Sequence, residues 1–118
     1  MYRGSGAASD GWIAYIRDSF NDLGYSYEEI NEYDIQGGIL MSGSLPAYDV
    51  VCFHAGSGTV YNSALGTSGK DEILSFMNAG GNYVGTCAGA YFGSAGPASQ
   101  DCSIPLNNYL ALWPGRLC

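Results

Sequence analysis

Between Asp10 and Gly24 the apolar residues Ile13, Ile16, Phe20 and Leu23 recur at helical spacing, which predicts an amphipathic helix. Ser9 or Asp10 can cap its start, and Gly24 stands where a left-handed residue closes a helix. "YSYEEI", Tyr25 to Ile30, alternates like a strand with one polar face. "AYDVVCF", Ala47 to Phe53, is a continuous β-branched and aromatic run, the pattern of a central strand covered on both sides. In "TSGKDEILSFMNAGG" Ser68 and Asp71 form a capping-box-like pair, Ile73, Leu74 and Met77 share one side, and Gly80 and Gly81 end the helix. "NYVGT" then predicts a short strand, Ala88 to Ser94 a helical turn or more, and "YLALW" a last strand closed by Pro114 and Gly115.

The resulting order, α-β-β-α-β-α-β, implies a mostly parallel sheet with helices on both faces. The expected fold class is therefore α/β, a three-layer αβα sandwich of flavodoxin-like type. At 118 residues and 47% hydrophobic, with no internal repeat, residues 1–118 suit a single domain at the small end for such a fold. Chemistry in these sheets gathers at the carboxyl ends of the strands.

Charge narrows the partners. The net charge is −7, with Arg3, Arg17, Lys70 and Arg116 the only Lys or Arg, which opposes binding to a phosphate backbone or to anionic lipid. Neither nucleic acid nor a membrane surface is expected. No apolar run approaches the roughly 20 residues of a membrane span, and "MYRGSGAASD" has no h-region of a signal peptide. Composition suits an exported or a cytoplasmic protein equally. Cys52, Cys87, Cys102 and Cys118 have no CxxC spacing and share the chain with one histidine, so neither a metal site nor a cofactor is expected. A bridge between Cys102 and Cys118 would stabilise by about 3 kcal/mol in the chain-entropy account.

The candidate chemistry centres on "GGNYVGTCAGAYFGS", where Gly85-Thr86-Cys87-Ala88-Gly89 reads as G-x-C-x-G between a strand and a helix. That is the cysteine version of the nucleophile elbow, a strained turn that lifts the nucleophile to the sheet edge. Glycine is needed on each side because a Cβ there would strike the neighbouring strand or helix. At a helix N-terminus the dipole favours a thiolate. The competing reading is a small cysteine in a close-packed turn. "HAGSGTVYN" has two readings as well: a loop on the same sheet edge as Cys87, or an anion cradle of successive N–H groups. Against the cradle, as a nucleotide or flavin site, the pattern places no helix immediately after the loop, there is no P-loop lysine, and flavodoxins carry that loop after their first strand.

The longer string around Cys87 resembles the elbow of the class I glutamine amidotransferase-like superfamily, in particular the domain at the N-terminus of some biotin-protein ligases. Tyr2 to Ala7, "LGYSYEEIN", "YDVVCFHAGSG" and "LALWPGR" resemble further segments of that domain, in order. The resemblance implies an oxyanion hole made by the N–H of Ala88 and that of Ala55 or Gly56, with Ser57 in the same ligand loop. It also implies a triad histidine and acid well beyond the nucleophile, yet no histidine follows Cys87. His54 is the one candidate base, and a Cys87–His54 pair would activate the thiol. The chain looks shortened at both ends relative to the family. The expected function is thus an amidotransferase-like domain without a complete triad, binding a small molecule or a partner, or serving assembly as a homo-oligomer. The alternative is a cysteine-dependent amidase or hydrolase using Cys87 with His54 or with a base from outside the chain.

Overall fold

The computed structural model describes residues 1–95 and 109–112. Its elements are α1 (Asp10–Asp22), α2 (Glu32–Gln36), β1 (Met41–Ser42), β2 (Leu45–Pro46), β3 (Val50–Phe53), α3 (Gly58–Asn78), β4 (Asn82–Gly85) and α4 (Ala88–Gly93). This is a mixed α/β fold with short parallel and antiparallel sheets. β3 and β4 run parallel, from Val50 opposite Asn82 to Phe53 opposite Gly85, because α3 carries the chain back between them. β1 and β2 form a small antiparallel hairpin, Met41 opposite Pro46.

The N-terminal residues lie beside β3. Tyr2 N–H donates to the Cys52 carbonyl at 2.9 Å, Arg3 N–H to the Ile30 carbonyl at 2.7 Å, and Ile30 N–H to the Met1 carbonyl at 3.0 Å. Residues 28–30, 1–3 and β3 are therefore neighbours, although only a Tyr2–Ile30 bridge stands for the strand expected over Tyr25 to Ile30.

Strand alternation sorts the core into two clusters. Tyr2, Val51 and Phe53 pack with Leu65, Ile73 and Phe76 of α3 and with Phe92 of α4. Met1 and Cys52 pack instead with Ile13 of α1, flanked by Ile16 and Phe20. Phe53 is the hub of the larger cluster. Its ring stacks on Tyr2 at 4.6 Å between centroids and meets Phe92 at 5.1 Å, Tyr61 at 5.4 Å and Tyr83 at 5.7 Å.

Several boundaries differ from the pattern-based expectation. The first helix ends at Asp22, Gly24 is left-handed as expected at φ 74°, and Leu23 is left exposed. The long helix starts at Gly58, upstream of Ser68, with Ser57 as its N-cap. Gly66, at φ 59° and ψ −171°, breaks it into two runs, and Ser68 makes no capping bond among the described residues. The upstream run was hidden because its glycines and hydroxyl residues read as loop, although Tyr61 and Leu65 are buried at helical spacing. α2 and the β1–β2 hairpin were not anticipated either, yet Asn31 and Asp34 form a complete capping box.

Residues 109–112 are not a strand. The N–H groups of Leu110, Ala111 and Leu112 donate to the carbonyls of Phe92, Ser94 and Gly93, so the segment caps the end of α4 and satisfies carbonyls the helix leaves open. Pro114, Gly115 and the Cys102–Cys118 pair lie outside the described residues. No helix among those residues is long and apolar enough to cross a membrane.

Phe53→Ala removes the ring that four other aromatic rings touch. It is expected to cost about 3–5 kcal/mol, read as a lower urea midpoint with an unchanged slope.

Candidate functional site

The carboxyl ends of three adjacent extended segments meet at one edge: residues 4–8 after the first, His54 to Ser57 after β3, and Thr86 and Cys87 after β4. Cys87 has φ 53° and ψ −119°, a left-handed backbone for a residue with a side chain, and it is exposed. Strain of this kind, of order 1–3 kcal/mol, persists only where the surroundings over-determine it. Here they do. A Cβ on Gly89 would collide with the Phe53 carbonyl, and a Cβ on Gly85 with the Gly89 carbonyl. Thr86 N–H donates to the Phe53 carbonyl at 3.0 Å and Gly89 N–H to the His54 carbonyl at 3.2 Å, so the turn hangs on the end of β3. Any larger residue at position 85 or 89 would push α4 off the strand.

The loop after β3 is fixed as tightly. Gly56 has φ 152°, and a Cβ there would strike the Gly6 carbonyl and the Tyr61 hydroxyl. Ala8 N–H donates to the Ala55 carbonyl at 2.9 Å and Ser57 N–H to the Gly6 carbonyl at 2.8 Å. Tyr61 Oη bonds the carbonyls of His54 and Ala55 at 3.0 and 2.9 Å. Burial pushes the Tyr61 hydroxyl up to about 12, and the charge of nearby Cys87 adds to the shift. Ser57 Oγ accepts from Val60 N–H at 3.4 Å as the cap of α3. The helix thus follows the loop at once, which removes one objection to an anion cradle, while the missing P-loop lysine and the place of the loop after β3 still count against it. The N–H groups of Ala55, Gly56 and Ala88 meet no acceptor among the described residues.

His54 makes no hydrogen bond to the thiol among the described residues. Its ring is buried and its Nδ1 lies 2.9 Å from Thr86 Oγ1. Alternation accounts for this: Phe53 faces α3, so the next side chain turns to the α1 side, where the ring lies 6.2 Å from Phe20. Burial, and then the α-ammonium of Met1, hold the imidazole below its ordinary value, so it is neutral at pH 7. Its Nε2 is buried without a partner among the described residues.

One residue of the edge escaped the sequence reading. Glu32, in the first turn of α2, is only 7% exposed. Its carboxylate takes Ser5 Oγ–H at 2.5 Å, Ser5 N–H at 3.1 Å and the Tyr2 hydroxyl at 3.2 Å. It thereby holds the 4–8 loop against the Gly56 loop. The available signal was an acidic residue within the Asn31–Asp34 cap, beside a strand end. Among the described residues no three His, Cys, Asp or Glu side chains gather as a metal site would require.

The family described as "Biotin-protein ligase, N terminal" matches residues 15–107. The chain belongs to this family. The match contains His54, Gly56, Glu32 and Cys87, whereas the 4–8 loop precedes it. No curated protein and no solved structure matches the chain. In this biotin-protein ligase N-terminal domain the loops around Cys87 are thus set by backbone contacts and by one buried carboxylate.

Burial alone would raise the Glu32 carboxyl, but hydrogen bonds from Ser5, from its own backbone N–H and from Tyr2 together outweigh it and hold the group below the usual carboxylate range. A depressed carboxyl stabilises fully above its unfolded value of about 4.3 and loses that contribution as pH falls through the folded value. Glu32→Gln is therefore expected to lower stability at pH 7 and to flatten the acid limb of the stability profile below about pH 4.3, measured by urea unfolding across pH.

Proposed function

We propose that Gly85 to Gly89 is a nucleophile elbow and that the domain is amidotransferase-like, built as a three-layer αβα sandwich of flavodoxin-like order. Support for the architecture comes from the hydrogen bonds linking residues 28–30, 1–3, β3 and β4, and from core clusters on both sides of β3. On this reading the edge binds a small molecule bearing a carbonyl or carboxylate, and does not turn it over. The observations that carry it are the exposed, left-handed Cys87 and, on the loops of the same edge, N–H groups of Ala88, Ala55 and Gly56 that have no acceptor among the described residues. Backbone donors of this kind stabilise an oxygen anion or a carboxylate oxygen. Absence of turnover follows from His54, the chain's one histidine, whose ring is committed to Thr86 on the α1 side. A thiol without a base is a poor catalyst.

A cysteine-dependent amidase or hydrolase is the second reading. The exposed thiol favours it, but the base would come from outside this chain.

Alkylation by iodoacetamide, mapped by peptide mass, separates the readings. Cys87 is expected to react well ahead of Cys52, whose thiol burial pushes up and shields. Millimolar carboxylates and amides, glutamate and glutamine among them, are expected to slow labelling at Cys87 without being consumed. Hydrolysis of any amide or ester that Cys87→Ser abolishes would establish the enzyme instead. Failure of every compound to protect Cys87 would sink the binding reading.

A further inference from the structure

A second site lies away from Cys87, on the face of β3 that α1 covers only in part. Strands of a parallel pair are normally covered on both faces, yet Val50 and Val84 remain 43% and 46% exposed. They floor a groove of about 830 Å³, within the size range of small-molecule sites. Phe20, Tyr25, Tyr27 and Tyr48 line it, and Phe20 and Tyr27 pack on each other at 5.3 Å.

Its charged side chains are of one sign among the described residues, and the cation at the groove is the α-ammonium of Met1. Glu28 and Asp49 line the groove, and no Lys or Arg side chain does so among the described residues. The Glu28 carboxylate takes only the Tyr48 hydroxyl, and the Asp49 side chain has no partner among the described residues. The ion pairs there, Arg3 and Arg17 with Asp10 and Arg17 with Glu29, use neither group. The amino group of Met1, also at the groove, is taken by the Glu28 carbonyl oxygen at 2.7 Å. His54 adds an independent signal. It lines the same groove at 5% exposure, with Nε2 unpartnered among the described residues. When Nδ1–H donates to Thr86 Oγ1, the neutral ring presents Nε2 as an acceptor.

Aromatic walls, two carboxylates outside every ion pair among the described residues and an unused acceptor make one chemistry, and the geometry points to a binding site for an organic monocation, an apolar or aromatic group carrying an amine. Ring faces and carboxylates attract the cation, and the valine floor takes the apolar body. A second copy of the chain is disfavoured as occupant because the net charge of −7 sets two copies against each other. The site does not involve Cys87, so its failure leaves the reading of the other edge untouched.

Titration of the whole chain with 2-phenylethylammonium, followed by NMR shifts of the groove tyrosines, tests the site against 2-phenylethanol and 3-phenylpropionate. The cation is expected to bind about tenfold tighter than the alcohol, a difference of about 1.4 kcal/mol, and the carboxylate to bind weakest. Glu28→Gln combined with Asp49→Asn, both exposed positions, is expected to erase that preference while leaving alcohol binding and Cys87 alkylation unchanged. Equal binding of cation and alcohol, a preference that survives the double substitution, or no cation binding at millimolar concentration would each overturn the assignment. So would a groove closed by self-association in sedimentation, or one that takes a basic amphipathic peptide but not the small cation.

Discussion

The end of β3 supplies the contact on which the rest of the described structure depends. Three consecutive carbonyls there, of Phe53, His54 and Ala55, receive Thr86 N–H, Gly89 N–H, the Tyr61 hydroxyl and Ala8 N–H. The donors come from three separate parts of the chain, so the end of one short strand fixes the start of α4, the first run of α3 and the loop after residue 3. The close approach is possible only because residue 89 has no side chain to meet the Phe53 carbonyl. Below this polar seam the Phe53 ring organises the larger core. The same residue thus links the hydrophobic packing, through its ring, to the site geometry, through its carbonyl. Errors of packing at Phe53 would therefore be felt at Cys87.

Legibility in the sequence followed the range of the interactions. β3, β4, α1 and α4 were readable because their signals are local: an apolar run, a glycine-ended strand, a helical repeat, a small-residue turn. The glycine pattern around Cys87 was readable for the same reason, and its physical basis, collision with strand and helix, is what Gly85 and Gly89 display. The first run of α3 was not, because Gly58, Ser63, Gly66 and Thr67 have weak helical preference and the run is held by burying Tyr61 and Leu65. "YLALW" misled in the opposite direction. Its apolar pattern is that of a strand, but the backbone donors of residues 110–112 are consumed by α4 carbonyls. Glu32 could not be found locally at all, since its partners lie at residues 2 and 5.

His54 carries the sharpest lesson about function. Proximity in sequence to the glycine loop made it a natural candidate to serve Cys87, and topology does bring both residues to the same strand ends. Period-two alternation, however, sends successive side chains to opposite faces. With Phe53 committed to the α3 core, the next side chain belongs to the α1 side whatever its chemistry. Thr86 then fixes the ring, and burial keeps it neutral. The polar resources of the domain are consequently divided. The Cys87 edge is left with backbone N–H groups and an exposed thiol. The imidazole, the carboxylates of Glu28 and Asp49 and the tyrosines line the groove on the other side of β3. A chain with one histidine can equip only one of these places with an imidazole, and the packing of Phe53 decides which.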